Sequence, residues 1–280
     1  MKQIKMILLL FAALLISCTE GDTLTETDTG NNVTEKPYTI QGTVKDGAGN
    51  AIKSARIRVE NPNGNNIHYT TTTDEAGKYS VTMSAIGGYK MYAWKEVTTE
   101  NGTYQLRMGM EKDEDYDAFS VPASGIVKNF VWKLNGRIPD RTVSAQNGTG
   151  YFGGSVKFIN YNSFADEMPS GTEVTITLTP ASGAKYLDGT SAEGKIVQKK
   201  FIIASGVGQV YYINDIPATK YKITASSMKN GISQSVHLGI GNPDTFTPNA
   251  EYYFRPDGGS GNYENGLLSP NEYYFYIMNK

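Results

Sequence analysis

Residues 42–59, GTVKDGAGNAIKSARIRV, decide the fold class of this chain. Val44 lies in a run of alternating apolar and polar residues that begins at Tyr38, and the turn residues of 46–50 interrupt that run. From Ala55 to Val59 the chain alternates again, with apolar residues on one side and two arginines on the other. Alternation with a period of two is typical of a half-buried strand, and clustered glycine, aspartate and asparagine are typical of a turn. The stretch therefore predicts strand, turn and strand, with one buried face.

The same pattern continues beyond this stretch. Turn residues recur at 61–64 and 74–77, and strand patterns follow at 78–81 and 88–94. No segment here has the 3.6-residue period of an amphipathic helix. The chain contains 30 glycines and 19 tyrosines, a composition that favours many short strands joined by tight turns. We therefore expect an all-β protein.

Three motifs in this region together resemble one known family. They are G-T-V-K-D-x-x-G-N-A-I-K-S-A-R-I-R-V, then T-T-T-D-E-A-G-K-Y-S-V, then Y-K-M-Y-A. The segment from Tyr38 to Trp94 that carries them is similar to the carboxypeptidase regulatory-like domain, a transthyretin-like (prealbumin-like) β-sandwich of the carbohydrate-binding-like superfamily. The resemblance implies that Gly42 starts the first turn, that Ala55 packs inward and that residues 77–79 form the hairpin entering the third strand.

The strand pattern then recurs later in the chain. Four segments repeat the order of the first unit: 154–157, 172–178, 208–212 and 216–225. Recurrence of one pattern predicts a second copy of the same structural unit. We therefore expect two tandem β-sandwich domains, residues 37–136 and 137–280, joined in the turn-rich region near 135–150. Two aromatic segments, 252–254 and 273–277, are expected to form a closing hairpin.

The N-terminus has the features of a bacterial lipoprotein signal. Lys2 and Lys5 precede an apolar run over 6–16, and small Ser17 lies directly before Cys18. Residues 15–18 resemble a lipobox, whose cysteine is lipidated after the signal, residues 1–17, is removed. Cys18 is the only cysteine, so no intramolecular disulfide competes for it. Lipid chains on Cys18 would hold the protein to a membrane.

The segment that follows the cysteine predicts a tether. Residues 18–36 are polar, rich in threonine and acidic, without hydrophobic periodicity, which is typical of a disordered linker. Acidic residues soon after a lipidated cysteine also resemble the surface-export signals of Bacteroidota lipoproteins. The predicted location is therefore the cell envelope, as an outer-membrane lipoprotein that can face the cell surface.

The sequence does not support catalysis. A zinc peptidase needs three protein ligands around an open position, and neither of the two histidines, His68 and His237, has a nearby carboxylate at ligand spacing. No Gly-x-Ser-x-Gly elbow occurs, and the lone thiol is assigned to the lipid. Paired carboxylates for glycoside hydrolysis stay open, because any two acids in a cleft can serve. We expect a protein that is not an enzyme and has no cofactor.

One acidic cluster is a candidate metal site. Asp113, Asp115 and Asp117 could supply oxygen ligands to calcium, although the glycine of an EF-hand loop is missing. The alternative is an ordinary solvated loop. The 28 acidic residues outnumber the 26 basic ones, which disfavours nucleic acid as a partner.

Aromatic residues are the remaining functional signal. Tyr89, Tyr92 and Trp94 end the first unit and Tyr151 opens the second, and exposed rings of this kind stack on sugar faces. The alternative for each ring is packing in a core. The sequence thus predicts a non-catalytic envelope lipoprotein that binds glycan through its β-sandwich modules. A structural, adhesive or scaffolding role with a surface protein as partner is the alternative.

Overall fold

The structure is a computed structural model. It describes residues 38–64, 66–83, 87–99, 102–144, 146, 149–162, 167–206, 208–254, 263–266 and 274–279. The predicted signal, residues 1–17, the tether, residues 18–36, and Cys18 lie outside these ranges. Among the described residues no helix is long and apolar enough to cross a membrane.

The first half of the described chain forms one β-sandwich. Its strands are β1 (Thr39–Lys45), β2 (Arg56–Glu60), β3 (His68–Thr72), β4 (Lys78–Thr82), β5 (Lys90–Thr99), β6 (Gly102–Met110), β7 (Ile126–Val127) and β8 (Phe130–Val131). The hydrogen-bonded order is β3-β2-β5-β6-β8-β1-β4, and β7 pairs with β1. A 3-10 turn, Asp113–Tyr116, follows β6. Since β6 and β8 share only two paired positions, they form the corner between the layer β3-β2-β5-β6 and the layer containing β1 and β4.

Alternation along the strands builds the core between these layers. Ile57 and Val59 on β2 are fully buried, whereas Arg56 before them is exposed and Arg58 between them is half-buried. Ala55, directly before β2, is also fully buried, as the resemblance implied. Gly77 has φ of +70°, which glycine adopts without a steric penalty, and its N–H donates to the carbonyl of Asp74 at 3.0 Å in a turn before β4. β3 and β4 lie at opposite ends of the hydrogen-bonded order, so this turn does not close the hairpin that the resemblance implied for residues 77–79.

Gly42 departs from what the resemblance implied. It lies within β1, opposite Tyr79, and does not start a turn. A Cβ at this position would overlap the backbone carbonyl of Lys128 and lie 3.0 Å from the Tyr79 ring. Glycine is needed here because a neighbouring backbone approaches closely.

The second half repeats the architecture of the first. Its strands are β9 (Gly154–Asn160), β10 (Glu173–Pro180), β11 (Val197–Ile202), β12 (Val210–Ile216), β13 (Lys220–Lys229), β14 (Ile232–Gly239), β15 (Asn249–Tyr253) and β16 (Tyr274–Asn279), with a 3-10 turn at Pro243–Thr245. The order β11-β10-β13-β14-β16-β9-β12 matches that of the first sandwich, strand for strand. The prediction of an all-β fold with two tandem sandwiches is confirmed.

The expected closing hairpin is wrong. β15 pairs with β13, whereas β16 pairs antiparallel with β14 and parallel with β9. The two aromatic segments therefore occupy different positions in the sheet. In the sequence between these two segments, the described residues 263–266 lie against the first sandwich.

The two hydrophobic cores meet at the junction. Trp132 packs against both cores, and Leu106 on β6 belongs to the core of the second sandwich. Ile138 and Phe152, in the connecting segment, belong to the core of the first. The two sandwiches thus share packed side chains, and the predicted boundary between residues 136 and 137 stays a prediction.

Candidate functional site

Two aromatic residues of β5 lie on the outer face of the first sandwich. Met91 and Ala93 point into the core, so the alternation of the strand directs Tyr92 and Trp94 to the opposite face. Tyr92 pairs with Arg58 of β2, while Trp94 pairs with Arg56 on β2 and with Arg107 on β6. Residues directly opposite in antiparallel strands project on the same face, so the two rings and the arginines form one surface.

A segment from the second half of the chain covers this surface. We call residues 263–266 the strap. The Tyr263 ring lies 5.1 Å from the Trp94 ring at an interplanar angle of 30°, and 5.3 Å from the Tyr92 ring in an edge-on arrangement. Trp94 is only 6% exposed and Tyr92 only 3%. The outward rings are thus buried by a segment about 170 positions further along the chain.

Polar contacts hold the Tyr263 side chain in place. The Arg58 guanidinium lies 5.2 Å from the Tyr263 ring centre, a cation–π distance. Arg58 Nε donates to Glu60 Oε2 at 2.6 Å, and the Tyr263 hydroxyl donates to the same oxygen at 3.3 Å. Burial, assisted by the negative charge of Glu60, raises the pKa of Tyr263, so its hydroxyl remains a donor at neutral pH.

Two arginines bind the next residue of the strap. Arg107 Nη1 donates to the backbone carbonyl of Glu264, and Arg141 Nε donates to the same oxygen at 2.9 Å. Arg141 Nη2 lies 3.1 Å from the carboxylate oxygen Oε1 of Glu264. The strap is therefore recognised through a ring, a carbonyl and a carboxylate.

A buried ion pair supports the site from beneath. Arg107 Nη2 donates to Asp140 Oδ1 at 2.9 Å, and the two side chains are 2% and 7% exposed. The Arg107 guanidinium also lies 5.2 Å from the Tyr92 ring centre and 5.6 Å from that of Tyr116. Burial lowers the pKa of Arg107 and Asp140 opposes this, but a guanidinium stays protonated in proteins.

Among the described residues, two donors of the site are buried without a hydrogen-bond partner. They are Trp94 Nε1 and Arg107 Nε. A buried donor without an acceptor costs about 1–3 kcal/mol, so such groups are rare unless another molecule satisfies them. The strap therefore fills the site without using all the hydrogen bonds that the site can make.

The structure separates the four aromatic residues named from sequence. Tyr92 and Trp94 come together at the site, but Tyr89 is buried in the first core, edge-on to Tyr69 at 6.5 Å. Tyr151 lies apart, half-buried, with Arg137 5.8 Å from its ring centre. None of the three β5-region rings presents an open face to solvent, because the core covers Tyr89 and the strap covers the other two.

The acidic cluster is paired with a lysine. Within the described ranges no group of three or more His, Cys, Asp or Glu side chains is placed to hold a metal ion. Asp115 accepts from Lys128 Nζ at 2.5 Å, so its charge is already paired with a cationic side chain. Calcium binding by Asp113, Asp115 and Asp117 stays a prediction.

Sequence reasoning missed the charged half of the site. Alternation in Arg56-Ile57-Arg58 already placed the arginines on the outer face, but nothing local linked them to Arg107 or Arg141. The strap residues lie beside a glycine-rich stretch without periodicity, so no pattern singled out Tyr263.

The comparisons with known proteins identify the first sandwich. Residues 39–115 match the family model described as the carboxypeptidase regulatory-like domain. This range spans β1 to β6 and ends within the 3-10 turn, so it includes the aromatic and arginine residues that β2, β5 and β6 contribute to the site. The resemblance predicted from the motifs is confirmed. A comparison with curated proteins finds no match.

Solved structures share general similarity with the chain at low identity. The TIE protein of Bacillus anthracis is 13% identical with a TM-score of 0.30, and the match covers 80% of this chain and 32% of that one. This chain thus spans about a third of the length of that protein. The minor pilin GBS52 of Streptococcus agalactiae is 11% identical with a TM-score of 0.23, covering 78% of this chain and 90% of that one. A DUF3823 family protein from Bacteroides uniformis is 10% identical with a TM-score of 0.21, covering 78% and 100%.

Proposed function

We propose that this protein is a non-catalytic binding lipoprotein of the cell envelope, with a glycan as its ligand. The ligand site is the outer face of β2, β5 and β6, and Cys18 supplies the membrane anchor. The single observation that supports the proposal most is the pairing of Tyr92 and Trp94 on one outward sheet face, among charged side chains.

The chemistry of this face suits a sugar. A sugar ring has an apolar face that packs on an aromatic ring, and a rim of hydroxyls that accept and donate hydrogen bonds. Trp94 provides the aromatic face, and the ring of Tyr263 already stacks on it at 5.1 Å. Glu60 and Arg107 lie beside the rings and offer an acceptor and a donor.

A protein partner is the second candidate. In the second sandwich Ile202 on β11 and Met228 on β13 both pair with Glu173 and are 63% and 46% exposed. Exposed apolar side chains beside an edge strand are typical of protein contact sites. Lys199 and Lys200 lie on the same strand, and edge lysines oppose strand pairing with another chain.

The test is a glycan array probed with the soluble chain from Thr19 onward. The probes are the unaltered chain, Tyr263→Ala to open the site, and Tyr263→Ala with Trp94→Ala. We expect saturable binding that the Trp94 change weakens by about 1 kcal/mol or more. The matched control is Tyr253→Ala, a 39% exposed tyrosine on β15, which should leave binding unchanged. If no glycan binds to any of these proteins, the glycan proposal is refuted and a protein partner is favoured.

A further inference from the structure

The strap shows which chemistry the site accepts. It places an aromatic ring on Trp94, a carbonyl oxygen on Arg107 and Arg141, and a carboxylate on Arg141. Any ligand that replaces the strap meets the same three groups. The inference below rests on the proposed glycan function and specifies the class of glycan.

The charges of the site balance only while the strap is present. Among the described residues, four arginines of the first sandwich and the connecting segment each pair with one carboxylate: Arg56 with Glu96, Arg58 with Glu60, Arg107 with Asp140, and Arg141 with Glu264. The first three carboxylates belong to the first sandwich and the connecting segment, but Glu264 belongs to the strap. When the strap leaves, Arg141 loses its ion-pair partner and the site carries one uncompensated positive charge.

The charge and orientation of the Arg141 guanidinium suit it to bind a carboxylate. Burial is the largest influence and lowers the pKa of Arg141, but Asp140, Tyr92 and Glu264 together outweigh it and raise that pKa. Its Nη2 also lies 3.4 Å from the Tyr92 hydroxyl, which orients the guanidinium beside the ring. A guanidinium that donates from two nitrogens recognises a carboxylate and a neighbouring oxygen together.

We infer that the site binds an acidic glycan, whose sugar ring stacks on Trp94 and whose carboxylate pairs with Arg141. Tyr263 and Glu264 occupy the site in cis as an internal substitute, the ring in place of the sugar face and the carboxylate in place of the acid group. The unpartnered donors Trp94 Nε1 and Arg107 Nε fit a hydroxyl-rich ligand, because it can bring acceptors to two positions where the described residues of the strap place none.

An external ligand and the strap compete for the same site. The apparent affinity of the unaltered chain equals the intrinsic affinity multiplied by the fraction of molecules whose strap has left. A substitution that weakens the contacts of the strap must therefore strengthen acidic-glycan binding. A substitution that removes the charge of Arg141 must abolish the preference for acidic over neutral glycans.

The experiment uses an array of oligosaccharides that contain uronic or sialic acids, each printed beside its carboxyl-methylated form. Glu264→Gln keeps the shape of the strap residue and removes its charge, and Gly266→Ala displaces the strap without altering a binding residue. We expect Glu264→Gln to bind acidic glycans about 3- to 10-fold more tightly than the unaltered chain. Glu251→Gln, an exposed glutamate paired with Lys220, is the matched control and should have no effect.

Removing the proposed carboxylate ligand provides the opposite test. Arg141→Gln in the Gly266→Ala background should bind the acid and the methylated form equally, with Lys220→Gln as the matched loss of a surface charge. Equal binding of acidic and methylated glycans by Gly266→Ala itself would overturn this inference and leave the glycan function standing. Absence of binding to every glycan by every variant would overturn both.

Discussion

The strap can be displaced by one methyl group. A Cβ at Gly266 would overlap the backbone carbonyl oxygen of Tyr151 and lie 2.7 Å from Phe152 Cα. Both atoms belong to the backbone, so no side-chain rotation relieves the overlap. In Gly266→Ala the strap must move away from the first sandwich, and the contacts of Tyr263 move with it.

The size of the effect follows from those contacts. Tyr263 makes two aromatic contacts, at 5.1 Å and 5.3 Å, worth about 0.5–1.5 kcal/mol each beyond area burial. The cation–π contact with Arg58 adds about 0.5–1 kcal/mol. When the strap is displaced, water replaces part of the hydrogen bonding that Arg107 and Arg141 make to Glu264. The net contribution of these hydrogen bonds to the free energy of unfolding is therefore small. We expect the free energy of unfolding to fall by about 1.5–4 kcal/mol.

The assay follows Trp94 directly. The chain has two tryptophans, so a Trp132→Phe background leaves Trp94 as the single indole. In Gly266→Ala its fluorescence should shift to the red and acrylamide should quench it more strongly, and urea unfolding should give the loss in stability. Gly47→Ala is the matched control, because nothing lies within 4 Å of its added Cβ. A buried Trp94 and an unfolding free energy within about 0.5 kcal/mol of the control would refute the assignment of the strap as the cover of this site.

Three further predictions concern the ion pair, the tyrosines and the anchor. Asp140→Asn leaves the buried charge of Arg107 without its anion, so urea denaturation should show a loss of about 3–5 kcal/mol, against little change for Glu251→Gln. Burial raises the pKa of Tyr116 to about 12, above the ordinary 10.0. The folded state therefore favours the neutral form of this tyrosine. The stability that this contributes is fully present below pH 10, and about 2–3 kcal/mol of it is lost as the pH rises from 10 through 12. Thermal unfolding followed between pH 8 and 12 should show this loss, and Tyr116→Phe should reduce it. Cys18→Ser should abolish incorporation of labelled palmitate and release the protein from the membrane fraction of cells.

Each of these predictions has a contradicting result. Equal stability of Asp140→Asn and the control would show that Arg107 finds another anion or solvent. An unchanged alkaline transition in Tyr116→Phe would assign the transition to other buried tyrosines such as Tyr79, Tyr92 and Tyr221, whose pKa values burial also raises. Palmitate incorporation into Cys18→Ser would place the lipid elsewhere in the chain.

Local periodicity was enough to predict the class of fold. Ile57, Val59, Met91 and Ala93 face the first core because a strand alternates its side chains regardless of which strand it pairs with. The recurrence at residues 154–157 likewise predicted a second sandwich, and the two strand orders agree throughout. The alternation and its recurrence depend on residues within a few positions of each other, so both are readable from the chain without its tertiary contacts.

The site depended on contacts that no local pattern contains. Alternation predicts that Tyr92 and Trp94 face outward, and a reader of the sequence expects rings open to a ligand. They are buried because Tyr263 packs on them, and the parallel pairing of β16 with β9 anchors the chain that follows the strap to the second sandwich. Arg107 and Arg141 join the site in the same way, through a carbonyl and a carboxylate of Glu264. Which surface of the first sandwich is covered therefore depends on tertiary contacts, because an outward face is buried by chain segments far apart in sequence.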